Sequence, residues 1–307
     1  MFSGYKKYNT LSDYYKKIFN SKVIKISIDG GFTCPNKDGT CGIGGRIYCS
    51  STGSAEFAGD KRKSPREQFE EVKSRLNKKK ENLKYIAYFQ ANSNTYDKVE
   101  ILKEKYESVL SLKDVVGLSI ATRPDAITDE CIEYLSELNK KTFLTIELGL
   151  QTIHESTSIL INRCHTLKCF EDMVKKLRKH NINIVVHIIN GLPYETKEMM
   201  IETIKYLNKL DIQGIKIHAL SVLKNTKLAD IYKEEKFKLL TKEEYIDIVC
   251  DQIEYLRSDI IIHRLTGDPD PKDLIAPSWI NEKIFILNEI DKTLNSRGTY
   301  QGIKKED

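Results

Sequence analysis

Three thiols crowd one glycine-rich loop, Cys34-Pro35-Asn36-Lys37-Asp38-Gly39-Thr40-Cys41-Gly42-Ile43-Gly44-Gly45-Arg46-Ile47-Tyr48-Cys49, which directly follows an apolar strand. Thiolates are soft donors that hold iron-sulfur clusters, and a glycine-rich backbone wraps closely with its amides aimed at the sulfurs. The loop therefore reads as an iron-sulfur cradle with one ligand out of place. A cysteine at position 46 would complete a C-x-x-C with Cys49, but the chain has Arg46 there. A guanidinium is permanently charged and has no lone pair to give a metal.

The rest of the chain must position that loop. After it, short β-rich runs alternate with longer amphipathic stretches, the order of a parallel sheet with crossover helices. Strands are expected at 23–28, 85–89, 115–121, 143–148, 182–189 and 214–220, and helices at 65–80, 96–112, 129–139, 167–180, 197–210 and 228–235. Each strand is a nearly continuous apolar run, as in sheets buried on both faces. Six such units predict an α/β fold, a partial TIM-like (β/α)6 barrel with right-handed crossovers. The tail reads as a helix at 242–257, a short strand at 260–264, a rigid turn at 267–271 and a last helix at 278–295. It is expected to close the open side of the barrel, with residues 1–225 forming the core and 226–307 an extension packed on the same domain.

Reactive groups of a β/α barrel gather at the carboxyl ends of its strands. Those ends carry Gln90-Ala91-Asn92, Thr122-Arg123-Pro124-Asp125, Glu147-Leu148-Gly149-Leu150-Gln151, His187 and His218. Ionisable side chains within apolar strands need partners or a ligand, so Arg123, Glu147 and His187 are candidates for a site. A buried Arg123–Glu147 salt bridge is the plain structural reading of the same residues.

Composition sets the bounds. The chain has 307 residues with 40% hydrophobic content, enough for a full core, and no apolar run long enough to span a bilayer. A cytoplasmic protein without membrane contact is expected. Seven cysteines, an odd count with uneven spacing, fit metal binding in a reducing compartment better than a disulfide framework. Cys131, Cys164, Cys169 and Cys250 fall in helical patterns and are read as core. The net charge of +5 is mild, and the runs Lys61-Arg62-Lys63 and Lys78-Lys79-Lys80 read as solvated helix ends.

Taken with the cysteine loop, the pieces Gly30-Gly31-Phe32-Thr33-Cys34-Pro35-Asn36, Thr122-Arg123-Pro124-Asp125, Glu147-Leu148-Gly149-Leu150-Gln151-Thr152, Asn162-Arg163, Gly191-Leu192-Pro193 and His263-Arg264 resemble the YhcC-like family of radical S-adenosylmethionine (SAM) enzymes. More weakly, they resemble the radical SAM core of the Elongator catalytic subunit. The resemblance implies a 4Fe-4S cluster on three cysteines, SAM chelated to its fourth iron, reductive cleavage to a 5′-deoxyadenosyl radical, and an electron donor such as flavodoxin or ferredoxin. It leaves the substrate unknown and, through Elongator, allows RNA.

Carried over by motif, Cys34 and Cys49 match the first and last cluster ligands, and the middle one falls on Arg46. Three readings stand side by side: an enzyme impaired by Arg46, a rescue in which Cys41 swings in as a ligand, and a degenerate SAM-fold binding protein. A zinc loop on the same three thiols is a weaker fourth. The resemblance places Gln151 and Arg163 on the ribose and methionyl carboxylate of SAM, and His187 near the ribose hydroxyls. Gln90 and Asn92 fall where the family receives the SAM amino group.

Overall fold

The computed structural model describes residues 5–50, 58–76, 82–234 and 236–305. Lys78-Lys79-Lys80, with the end of the helix expected at 65–80, lies outside the described residues, as do the first four residues and position 235.

In chain order the elements are α1 (Leu11–Phe19), β1 (Val23–Ile28), α2 (Pro65–Leu76), β2 (Lys84–Phe89), α3 (Val99–Leu110), β3 (Val115–Thr122), α4 (Asp129–Asn139), β4 (Phe143–Gln151), α5 (Glu155–Leu160), α6 (Leu167–Lys179), β5 (Asn183–Asn190) and α7 (Lys197–Leu207). Then come β6 (Gly214–Ala219), β7 (Val222–Leu223), α8 (Lys227–Lys233), α9 (Lys242–Tyr255), β8 (Ile261–Arg264), β9 (Leu274–Ala276) and α10 (Lys283–Ser296). The strands pair in parallel in the order β1-β2-β3-β4-β5-β6-β8, a curled half-barrel. All six expected strands recur, and the tail segment expected at 260–264 adds a seventh. A separate antiparallel pair joins β7 to β9.

Threonine starts most of the helices. Thr10, Thr128, Thr166, Thr196, Thr226 and Thr241 each accept a hydrogen bond from a first-turn backbone N–H, satisfying a donor that the helix leaves free. The helix expected from 96 begins at Val99, since Tyr96 belongs to the turn before it, with its N–H on the Ser93 carbonyl. The last helix, expected from 278, opens as a 3-10 turn over Ser278–Asn281 and becomes α-helical at Lys283.

Helices α1 and α5 and the β7–β9 pair were not legible in the sequence. Helix α1 packs against both β1 and β8, the two unpaired edges of the sheet. Its Tyr15 and Phe19 rings meet Phe143, at the start of β4, edge-on at 6.0 and 5.4 Å. The amino-terminal mouth of the half-barrel is thereby plugged with aromatic rings, and the carboxyl-end mouth is left for chemistry.

The main core lies between the sheet and the surrounding helices, where Leu102, Tyr106, Leu135, Phe170, Leu177, Ile204 and Val249 cover the outer face of the strands. A smaller cluster at the carboxyl-end mouth unites Ile47 with Ile161, Leu192, Leu220, Val222 and Leu228. Ile47 thus anchors the cysteine loop. Among the described residues no helix is long and apolar enough to cross a membrane.

Candidate active site

The cysteine loop is held from two sides. Asn36 Nδ2 donates to the Asn162 carbonyl at 2.5 Å, and Asn162 Nδ2 donates to the Gly45 carbonyl at 2.9 Å. Ile47 N donates to the Ile161 carbonyl at 3.2 Å, and its own carbonyl accepts from Leu228 N at 2.8 Å. The loop is therefore fixed to the turn after α5 and to the start of α8. That turn includes Asn162 and Cys164, both at positive φ (55° and 65°). Asparagine adopts this region readily, whereas a cysteine there is held by its surroundings.

A cavity of about 250 Å3 opens between the loop and the strand ends. Its upper wall carries Cys34, Arg46, Cys49, Asn92, Arg123 and Gln151, and its floor Tyr88, Glu147, His187, Lys216 and Arg264. Of the expected site residues, Cys34, Cys49, Gln90, Asn92, Arg123, Glu147, Gln151 and His187 all face it.

The structure places the other two elsewhere. Arg163 is fully buried at the end of β4, with Nε on the His165 carbonyl and Nη1 on the carbonyls of Leu150 and Thr152 at 3.0 and 2.6 Å. Cys41 is exposed, 3.6 Å from Arg123 Nη2 and beside Cys164. Burial, with Asp125 and Cys164 adding to it, pushes the Cys41 thiol up to about 11.

Arg46 lines the same cavity as the two thiols, with its Nη2 end toward Gly149 on β4. Its Nε and Nη2 are buried and have no hydrogen-bond acceptor among the described residues. A 4Fe-4S cluster held by three protein thiolates needs three sulfurs converging on one volume. Here two face the cavity, a cation stands in the third place, and among the described residues no three metal-ligating side chains converge. The residues present do not fit a three-thiolate cluster.

The floor holds a buried charge network. Glu147 Oε1 accepts from Lys25 Nζ and from Ser119 Oγ, each at 2.6 Å, and Oε2 accepts from His187 Nε2 at 2.7 Å and from Lys216 Nζ. Lys216 Nζ also donates to the Tyr88 hydroxyl at 3.0 Å. Burial alone would raise the Glu147 carboxyl, but the Lys216 and Lys25 cations and the His187 hydrogen bond hold it well below the usual carboxylate range. One carboxylate cannot fully offset two ammoniums. Burial pulls Lys216 down to about 7, and burial with the Lys216 charge pulls His187 down to about 4.

The expected Arg123–Glu147 salt bridge does not form. Arg123 pairs instead with Asp125, through Nε at 2.9 Å and Nη2 at 2.7 Å, because its chain position beyond β3 turns it toward the loop rather than the floor. The helical cysteines also divide: Cys131 and Cys250 are core, while Cys164 is exposed and Cys169 half-buried. Sequence reasoning missed Lys25 and Lys216. The signal was the alternation in Val-Ile-Lys-Ile-Ser-Ile and Gly-Ile-Lys-Ile-His-Ala, which puts every second residue on one face of the strand.

A half-barrel with an apolar outer face and a polar mouth under a cysteine loop defines the radical SAM class, and the chain belongs to the radical SAM superfamily. Residues 47–207 match the family described as the radical SAM superfamily, and residues 212–296 match the radical SAM C-terminal domain. Among individual proteins, the chain is similar to the uncharacterised protein YtqA of Bacillus subtilis, 49% identical across 97% of this chain and 92% of the relative. It is also similar to protein YhcC of Escherichia coli, 31% identical across 91% of this chain and 90% of the relative. The solved structure of the archaeal Methanocaldococcus infernus Elp3 shares the fold, with a TM-score of 0.65 at 18% identity over 92% of this chain and 64% of that one.

Proposed function

We propose that the chain is built as a radical SAM enzyme, cytoplasmic and without membrane contact, and that Arg46 impairs this copy by standing where the third cluster thiolate belongs. The observation that carries the reading is Arg46, which lines the cavity with Cys34 and Cys49 and whose buried Nε and Nη2 have no acceptor among the described residues. In this reading the cofactors of the intact site are SAM and a 4Fe-4S cluster reduced by a flavodoxin or ferredoxin.

The chain's own residues supply binding and orientation. Gln90 and Asn92, after β2, and Gln151, at the end of β4, offer amides to SAM from two strand ends, and Arg163 acts by holding the end of β4 on which Gln151 sits. Glu147 and His187 form the polar floor under the substrate. RNA enters as a substrate class only by analogy, through the Elongator likeness. A degenerate SAM-fold binding protein is the second reading, favoured by the absence of a converging third thiol among the described residues.

Anaerobic reconstitution with iron and sulfide separates them. Arg46→Cys is expected to take up about four irons per chain and to cleave SAM to 5′-deoxyadenosine, while the unaltered chain falls well short on both. A full cluster in the unaltered chain overturns the impairment. An Arg46→Cys protein that is folded and iron-free overturns the enzyme reading in favour of the binding protein.

A further inference from the structure

Guanidinium N–H groups buried without an acceptor are costly, so a place where several converge is a place that lacks a partner. Arg46 leaves Nε and Nη2 unpaired, and Arg123, only 2% exposed, leaves Nη1 unpaired. Both line one cavity wall together with Gln151. A third guanidinium stands behind them: burial, and then the Arg46 and Arg123 cations, pull Arg163 down to about 10.

Among the described residues, carboxylates do not match this positive charge. Asp125 is taken up by two nitrogens of Arg123, and the nearest carboxylate oxygen to Arg163 is Glu155 Oε2 at 3.7 Å, on a side chain 56% exposed. Among the described residues the wall is left with surplus positive charge, three unfilled donors and one unfilled acceptor, Gln151 Oε1. The planar fork of arginine matches the paired oxygens of a carboxylate or phosphate.

We propose that Arg46, with Arg123, makes the cradle of this chain a binding site for a small oxyanion, in the space a third thiolate would give to iron. The proposal rests on the reading that Arg46 keeps the cluster out. The oxyanion is either the methionyl carboxylate of SAM or free phosphate, which share this chemistry.

Calorimetric titration of the iron-free protein tests it, with inorganic phosphate, SAM and adenosine as separate ligands. The unaltered chain is expected to bind SAM or phosphate. Arg46→Gln should weaken that binding about tenfold or more, as for loss of a charged hydrogen-bond partner, and Arg46→Lys should recover part of it. Weakening of SAM with adenosine unchanged identifies the carboxylate, whereas weakening of phosphate alone identifies phosphate.

Should Arg46→Gln fail to fold, the unaltered chain still decides the matter, because bound anion raises its melting temperature with the logarithm of ligand concentration once that exceeds Kd. No anion binding by the iron-free chain, or equal binding by folded Arg46→Gln, overturns the proposal. Iron uptake by the unaltered chain is measured separately and bears on the impairment instead.

Discussion

Lys25 Nζ and Glu147 Oε1 meet at 2.6 Å although β1 and β4 are separated in the sheet by two strands. The contact crosses the interior of the half-barrel and ties its first strand to its fourth. Because Glu147 also receives Ser119, His187 and Lys216, its two oxygens accept from four inward donors. Glu147→Gln leaves two ammoniums without their counter-charge, and stability should fall by about 3–5 kcal/mol, as for other broken buried pairs. Urea unfolding measures the loss, and adding Lys216→Met to Glu147→Gln should restore part of it.

Lys216 gives a pH signature. Its ammonium is pulled down to about 7 from an ordinary value of 10.5 by burial, against the opposing pull of Glu147. Between those two values the unfolded chain holds a proton that the folded chain has released, so this group makes stability rise with pH across that window. The stability difference between the parent and Lys216→Met should grow as pH climbs from 7 toward 10.5. A difference that stays flat in paired denaturation curves would show that Lys216 keeps its proton.

Cys41 should be dispensable for iron. It lies beside Arg123 and Cys164, outside the wall that carries Cys34 and Cys49. In an Arg46→Cys background, adding Cys41→Ala should leave iron and sulfide content unchanged. A loss of about a quarter or more of the iron would mark Cys41 as a ligand.

Gly42 fixes how closely the loop lies on its support. A methyl group there would sit 2.2 Å from Asn36 Oδ1 and 2.9 Å from Cys164 Sγ. Asn36 is the side chain that holds the Asn162 carbonyl, so it has little room to give. Gly42→Ala should cost about 1–3 kcal/mol, the range for overpacking, seen as a lower thermal midpoint.

The order of strands and helices was readable because the crossover units repeat one local grammar, an apolar run followed by an amphipathic helix, with a threonine cap on α4, α6, α7, α8 and α9. The inward face was harder to read. Strands scored as continuously apolar carry Lys25, Ser119, Glu147, His187 and Lys216 on alternate positions, and the apolar residues between them face the helices. Charge partners are set by curl and register, so the sequence placed Arg123 opposite Glu147 while the fold gave each a different mate. Helix α5 escaped notice because six residues are too few to show a period. That Cys34, Cys49 and Gln151 line one cavity was legible because motif spacing, unlike partnership, is written along the chain.

The far edge of the sheet has its own guard. Asn9 O accepts from Ile262 N at 2.9 Å, Thr10 bridges to Ile262, and Gln301 Nε2 caps the Ile260 carbonyl at 2.8 Å. A strand edge with free N–H and C=O groups is a template for any passing chain. By occupying part of that template, the segment before α1 works against sheet-to-sheet self-association. This guard stands at β8, the opposite edge of the sheet from β1 and the cysteine loop that follows it.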